Sequence, residues 1–104
     1  MAIEIKIRKE EPIPSCKEKD FRYSSIIYYK TIGTPIPRIF YTNHALCVPG
    51  GFILTEGNIT EHNRPFCVVN TKHAAENALY HLAMIKAEER KNRLGTPKII
   101  DETN

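Results

Sequence analysis

Two His–Cys pairs, His44-x2-Cys47 and His62-x4-Cys67, are the sharpest chemical pattern in the chain. Imidazole nitrogen and thiolate are zinc donors, and two of each would make a tetrahedral site. Neither pair has zinc-finger spacing. Cys47 and Cys67 also fall inside apolar runs, where a free cysteine packs as a small hydrophobe. A zinc-binding module is therefore the weakest of the functional readings, and no metal ligand or cofactor is assigned.

A nucleophile needs a base within hydrogen-bond reach. Cys47 or Cys67 could meet His44, His62, His73 or His81, and Ser24-Ser25 could meet a histidine and Asp20. No local signature supports either set, and cysteines in buried strands are inert. A phosphate-cradling Walker loop and a dinucleotide glycine fingerprint are both absent. No catalytic residue is assigned, and a non-enzymatic protein is expected.

Anion binding has more support. Lys72 and His73 open a long predicted helix, where the positive end of the helix dipole disfavours cations. With the unpaired amides of that first turn and the Thr71 hydroxyl, they could seat a phosphate or carboxylate. Arg22, Arg38 and Arg64 stand at predicted strand ends, and Tyr23, Tyr28, Tyr29, Phe40 and Tyr41 supply flat rings nearby. Arginine beside aromatic rings suits a phosphate with a stacked base. The expected ligand set is Arg38, Arg64, Thr71, Lys72 and His73, for a nucleotide or nucleic-acid phosphate.

The element that must position this set is Asn70 to Gly95. Asn70 and Thr71 are N-cap residues, Gly95 is a left-handed stop, and Pro97 forbids continuation. The spacing predicts a helix over about 72–94, followed by a short tail over 96–104. Ala75, Ala78, Leu79, Leu82, Ala83 and Ile85 read as the stripe that packs inward. Tyr80, Met84 and Ala87 read as a second strip on the far side, available to a second copy of the chain. The cations Lys86, Arg90, Lys91 and Arg93 read as complements of the helix's negative end.

Ahead of the helix, Ile3, Ile5 and Ile7 alternate with charged residues as a half-buried strand. Ser24 to Ile32 is β-branched and aromatic with little alternation, so both its faces should be covered. Arg38 to Thr42 and Ala45 to Val48 read as two strands turned at Asn43-His44. Pro49-Gly50-Gly51 turns the chain into Phe52 to Thr55, and Pro65 to Val69 leads into the helix. Strands joined by short turns and followed by one helix imply an α+β fold. The expectation is an antiparallel, meander-like sheet of five or six strands covered by one long C-terminal helix, as a single domain over 1–104.

The chain has 104 residues, a length at which one modest core forms. A net charge of +3 permits an anionic partner without demanding one. The first residues alternate and so do not read as a secretion signal. No run approaches membrane-spanning length. A cytoplasmic, self-associating binding or inhibitor protein is expected. Its alternative is a protein–protein adaptor or inhibitor that docks a larger target through an apolar face.

Overall fold

The computed structural model describes residues 2–10, 21–30, 33–57, 64–95 and 97–103. Its elements are β1 (Ala2–Glu10), β2 (Phe21–Tyr29), β3 (Ile36–Val48), β4 (Gly51–Glu56), β5 (Arg64–Val69), α1 (Lys72–Leu94) and β6 (Lys98–Glu102). The six strands form one sheet in the order β5-β4-β3-β2-β1-β6. β1 to β5 are an antiparallel meander, and β6 pairs in parallel with β1. One helix packed on a mostly antiparallel sheet is the expected α+β arrangement. No helix among the described residues is long and apolar enough to cross a membrane.

Two strand assignments change. Asn43-His44 is not a turn: β3 runs unbroken for 13 residues. Asn43 is fully buried, and its amide donates to the Leu79 carbonyl of α1 at 3.4 Å. A tertiary partner for the asparagine thus overrides its preference for turns. The tail also becomes a strand. Ile99 packs on the core, and Glu102 reaches back to Arg8 at 2.8 Å, fixing β6 along the outer side of β1.

The turn between β3 and β4 follows its sequence. Pro49 fixes its own φ, and Gly50 supplies the φ of 87° that the next turn position requires. Gly51 then passes close to β5, where an added Cβ would lie 2.0 Å from the Val69 carbonyl oxygen.

The helix ends as its sequence dictates. Thr71 accepts from the Ala74 amide, and Gly95 closes the other end at a φ of 81°. The buried residues are Ala75, Leu79, Ala83 and Ala87, all four apart. Each step of four advances about 40° around the axis, so this row forms a slowly turning stripe. Alanine lets the backbone approach the sheet closely enough for side chains to reach helix carbonyls. Ser25 Oγ donates to the Ala83 carbonyl at 3.1 Å, as Asn43 does to Leu79.

This stripe corrects the assignment of faces. Ala87 lies about 40° from Ala83 and is fully buried, while Tyr80 and Met84 pack against the core. Ala87 thus belongs to the inward stripe, and Tyr80 and Met84 border it, partly buried, so the three do not form a separate strip on the far side. Ile85 lies about 200° from Ala83 and is 51% exposed.

The other sheet face is polar over β1, β2 and β6, where Glu102 pairs with Lys6 and Arg8 and Arg8 also donates to Tyr28. Ser24, Ser25, Ile26 and Ile27 are all buried, so β2 is covered on both faces as its weak alternation implied.

Candidate functional site

A β-bulge organises the most developed cleft. Ser25 pairs with Tyr41 and Ile26 with Ile39, which leaves Phe40 as the extra residue of β3. A bulge breaks the strict alternation of side chains. Here it allows the consecutive rings of Phe40 and Tyr41 both to meet the helix. Arg90 lies 4.6 Å from the Phe40 ring centroid, and Lys86 lies 5.6 Å from that of Tyr41. The helix repeat places Lys86 and Arg90 one turn apart on the same side.

Between these residues and the end of β4 lies a cleft of about 560 Å³. Arg22, Lys86, Arg90 and Arg93 bring four cations to its lining, against the carboxylates of Glu56 and Glu89. Arg22 is engaged by Glu10, and Lys86 lies 3.8 Å from Glu89. Arg90 and Arg93 have no carboxylate within ion-pair distance among the described residues. Burial pushes the Tyr41 phenol up to about 12; Asn43 opposes this in part and Glu56 adds to it. Tyr41 is therefore a neutral wall at physiological pH.

The expected ligand set does not converge. Arg38 lies beside Phe40 on β3, near the helix's C-terminal half. Lys72 opens the same helix 18 residues before Arg90, about 27 Å along the axis. The Thr71 hydroxyl already caps the helix, and the Arg64 side chain lies outside the described residues. Lys72 and His73 are exposed. Their charges act on Glu76, whose carboxyl is held below its usual range chiefly by its hydrogen bond from Lys9. That carboxylate compensates for cations at the helix's positive end.

A second depression, of about 380 Å³, adjoins this end and includes Glu76 and Asp101 in its lining. Burial alone would raise the Asp101 carboxyl, but hydrogen bonds from Thr103 and Tyr80 outweigh it and hold the group low. The pair of carboxylates makes this depression a poor seat for an anion.

Among the described residues, His44 and Cys47 do not come together as a zinc pair. His44 and Cys47 are an odd number of residues apart on one regular strand and so lie on opposite sheet faces. His62, Cys16 and Asp20 lie outside the described residues, among which no group of three potential ligands could hold a metal. The Ser25 hydroxyl donates to Ala83. Ser24 is buried on the other face, and its hydroxyl has no partner among the described residues.

The cleft's components are legible in the sequence, Phe40 and Tyr41 as rings and Lys86, Arg90 and Arg93 as dipole complements. The bulge that unites them carries no glycine and no other signal. Comparison with protein-family models, with curated proteins and with solved structures returns no match.

Proposed function

We propose that this chain is a non-catalytic binding protein for an anionic ligand, and that its seat is the cleft beneath the C-terminal half of α1. The observation that carries this reading is the pair of guanidinium groups, Arg90 and Arg93, which line the cleft without a carboxylate partner among the described residues. Guanidinium is weakly hydrated and offers a planar fork of donors to carboxylate or phosphate. The cleft is of ligand-site size.

The chemistry favours the ligand's charge over its rings. Lys86 and Arg90 already lie over Tyr41 and Phe40, so a base would have to displace a cation to stack there. Carboxylate or phosphate oxygens can instead meet the guanidinium edges while the rings hold those groups in place.

Calorimetric titration with ATP, and separately with inorganic phosphate, tests the reading. Binding should weaken at least about tenfold in Arg90→Ala/Arg93→Ala, the loss of about 1.4 kcal/mol or more. It should be unchanged in Lys72→Ala/His73→Ala. The reverse pattern would move the seat to the helix N-terminus, and no binding of either probe would contradict the reading.

A further inference from the structure

The depression beside Glu76 and Asp101 differs in chemistry from the cleft. It lies between the first half of α1 and strands β2 and β6, and measures about 380 Å³. Asp101 supplies its charge. That carboxylate accepts from the Tyr80 hydroxyl at 2.7 Å, and from the Thr103 amide and hydroxyl at 2.9 and 2.5 Å. All three donors are neutral, and no cationic side chain lies within ion-pair distance of Asp101 among the described residues. The Thr103 bonds go to Oδ1 and the Tyr80 bond to Oδ2, so Oδ2 keeps a free acceptor site.

Tyr23 is a second, independent sign of a ligand. The residue is only 4% exposed and forms part of the lining. Its ring stands edge-on to Tyr80, with centroids 6.5 Å apart. Its hydroxyl has no hydrogen-bond partner among the described residues, although Glu76, Asp101 and Tyr80 lie close enough to act on its ionisation. A phenol buried to this degree ordinarily finds a partner for its O–H. One that lines a depression and bonds nothing within it is completed by a group from outside.

The acceptors in this lining select the class of ligand. A divalent cation needs more anionic oxygen than one free carboxylate, and no group of three potential metal ligands occurs among the described residues. A primary ammonium brings one charge and three N–H donors. Asp101 Oδ2 and the phenol oxygens of Tyr23 and Tyr80 are three acceptors, and the two rings give an alkyl stem an apolar wall. Lys9 is held by Glu76 and does not supply the charge that Asp101 lacks. The positive end of the helix, which disfavours a cation, acts within the first turn, whereas Tyr80 lies about two turns along. We propose that this depression seats a primary alkylammonium group, of a free amine or of a partner's lysine side chain, on Asp101, Tyr23 and Tyr80. The proposal is independent of the anion cleft under the other half of the helix.

The test is a titration of the full chain, carrying 13C-labelled tyrosine rings, with n-butylammonium chloride and with acetyl-lysine-N-methylamide. Tetramethylammonium chloride at equal ionic strength is the comparison, since it has the charge without N–H donors. The Tyr23 and Tyr80 ring signals should shift together and saturate with butylammonium, and should stay fixed with tetramethylammonium. Binding of the capped lysine as well assigns the seat to lysine side chains; binding of butylammonium alone assigns it to free amines. Asp101→Asn and Tyr23→Phe should each weaken binding at least about tenfold, read from Tyr80. Glu88→Gln, which removes an exposed carboxylate of the same helix, should leave it unchanged. The Tyr23 hydroxyl bonds no described residue, so Tyr23→Phe should unfold at the same urea concentration as the unsubstituted protein. Equal shifts with tetramethylammonium, undiminished binding in both site variants, or fixed tyrosine signals with both amines would each overturn the proposal.

Discussion

Arg90 lies over the ring of Phe40, with its guanidinium carbon 4.6 Å from the ring centroid. This contact joins the last third of the helix to the one irregular point in β3. It depends on the extra residue that lets Phe40 and its neighbour Tyr41 face the helix together. The ring holds the guanidinium over the cleft without taking up its hydrogen-bond donors.

Arg90→Ala should therefore separate stability from binding. A partly exposed cation–π contact contributes about 0.5–1 kcal/mol. The urea midpoint should fall by no more than that contribution, while phosphate binding weakens at least about tenfold, or 1.4 kcal/mol. A large loss of stability with unchanged phosphate binding would make Arg90 a structural residue only.

The helix face is tested by size. Ala83 is fully buried with its carbonyl engaged by Ser25, so Ala83→Leu should overpack the interface and cost about 1–3 kcal/mol. Ile85→Glu, two residues on and half exposed, should change stability by less than about 0.5 kcal/mol. Urea unfolding of the two variants measures both.

Gly51 and Gly50 should differ although they are adjacent. A Cβ at Gly51 would lie 2.0 Å from the Val69 carbonyl oxygen, and β5 would have to shift. Gly51→Ala should cost about 2–3 kcal/mol. Gly50 has a φ of 87° and open space around it, so Gly50→Ala should cost about 1–2 kcal/mol of backbone strain alone. Equal losses would place the tight approach elsewhere.

Acid should loosen the attachment of the helix to β1 and β6. Glu76 accepts from Lys9 at 2.5 Å, and Asp101 accepts from Tyr80 at 2.7 Å. Both carboxyls are held below their ordinary values of 4.5 and 3.8. The unfolded chain therefore binds more protons in this range, and stability rises with pH across it. The contribution is present above those ordinary values and is lost as pH falls through the lower folded ones. Tyr80→Phe removes a donor to Asp101, so its urea midpoint should fall less steeply between pH 5 and about pH 2 than that of the unsubstituted protein. An unchanged slope would remove this bond from the acid response.

Alkali should act through two tyrosines. Burial raises both Tyr23 and Tyr41 from 10.0 to about 12. The folded state keeps their protons where the unfolded state loses them. Their stabilising contribution is thus present below pH 10 and is lost as pH rises toward 12. Absorbance at 295 nm should show at least two of the five tyrosines ionising late or together with unfolding. Five ionisations near pH 10 without unfolding would contradict their burial.

Local chemistry made much of this fold readable. Thr71 and Gly95 mark the helix ends because a cap and a left-handed glycine leave direct traces in sequence. Pro49-Gly50 marks its turn for the same reason. What was not legible depends on partners distant in the chain. Asn43 stays inside a strand because Leu79 accepts from its amide, and Lys98–Glu102 becomes a strand because β1 offers an outer side. The cleft is the extreme case. Lys86, Arg90 and Arg93 sit where the helix dipole alone accounts for cations. Only the bulge at Phe40, which has no sequence mark, brings them to a common site.

The most direct test of the anion seat observes the arginine side chains themselves. In 15N-labelled protein titrated with inorganic phosphate, the Nε–Hε signals of Arg90 and Arg93 should shift together and saturate. Those of Arg8, already bonded to Glu102, should stay fixed. Arg90 and Arg93 signals that remain unmoved at saturating phosphate would contradict the account.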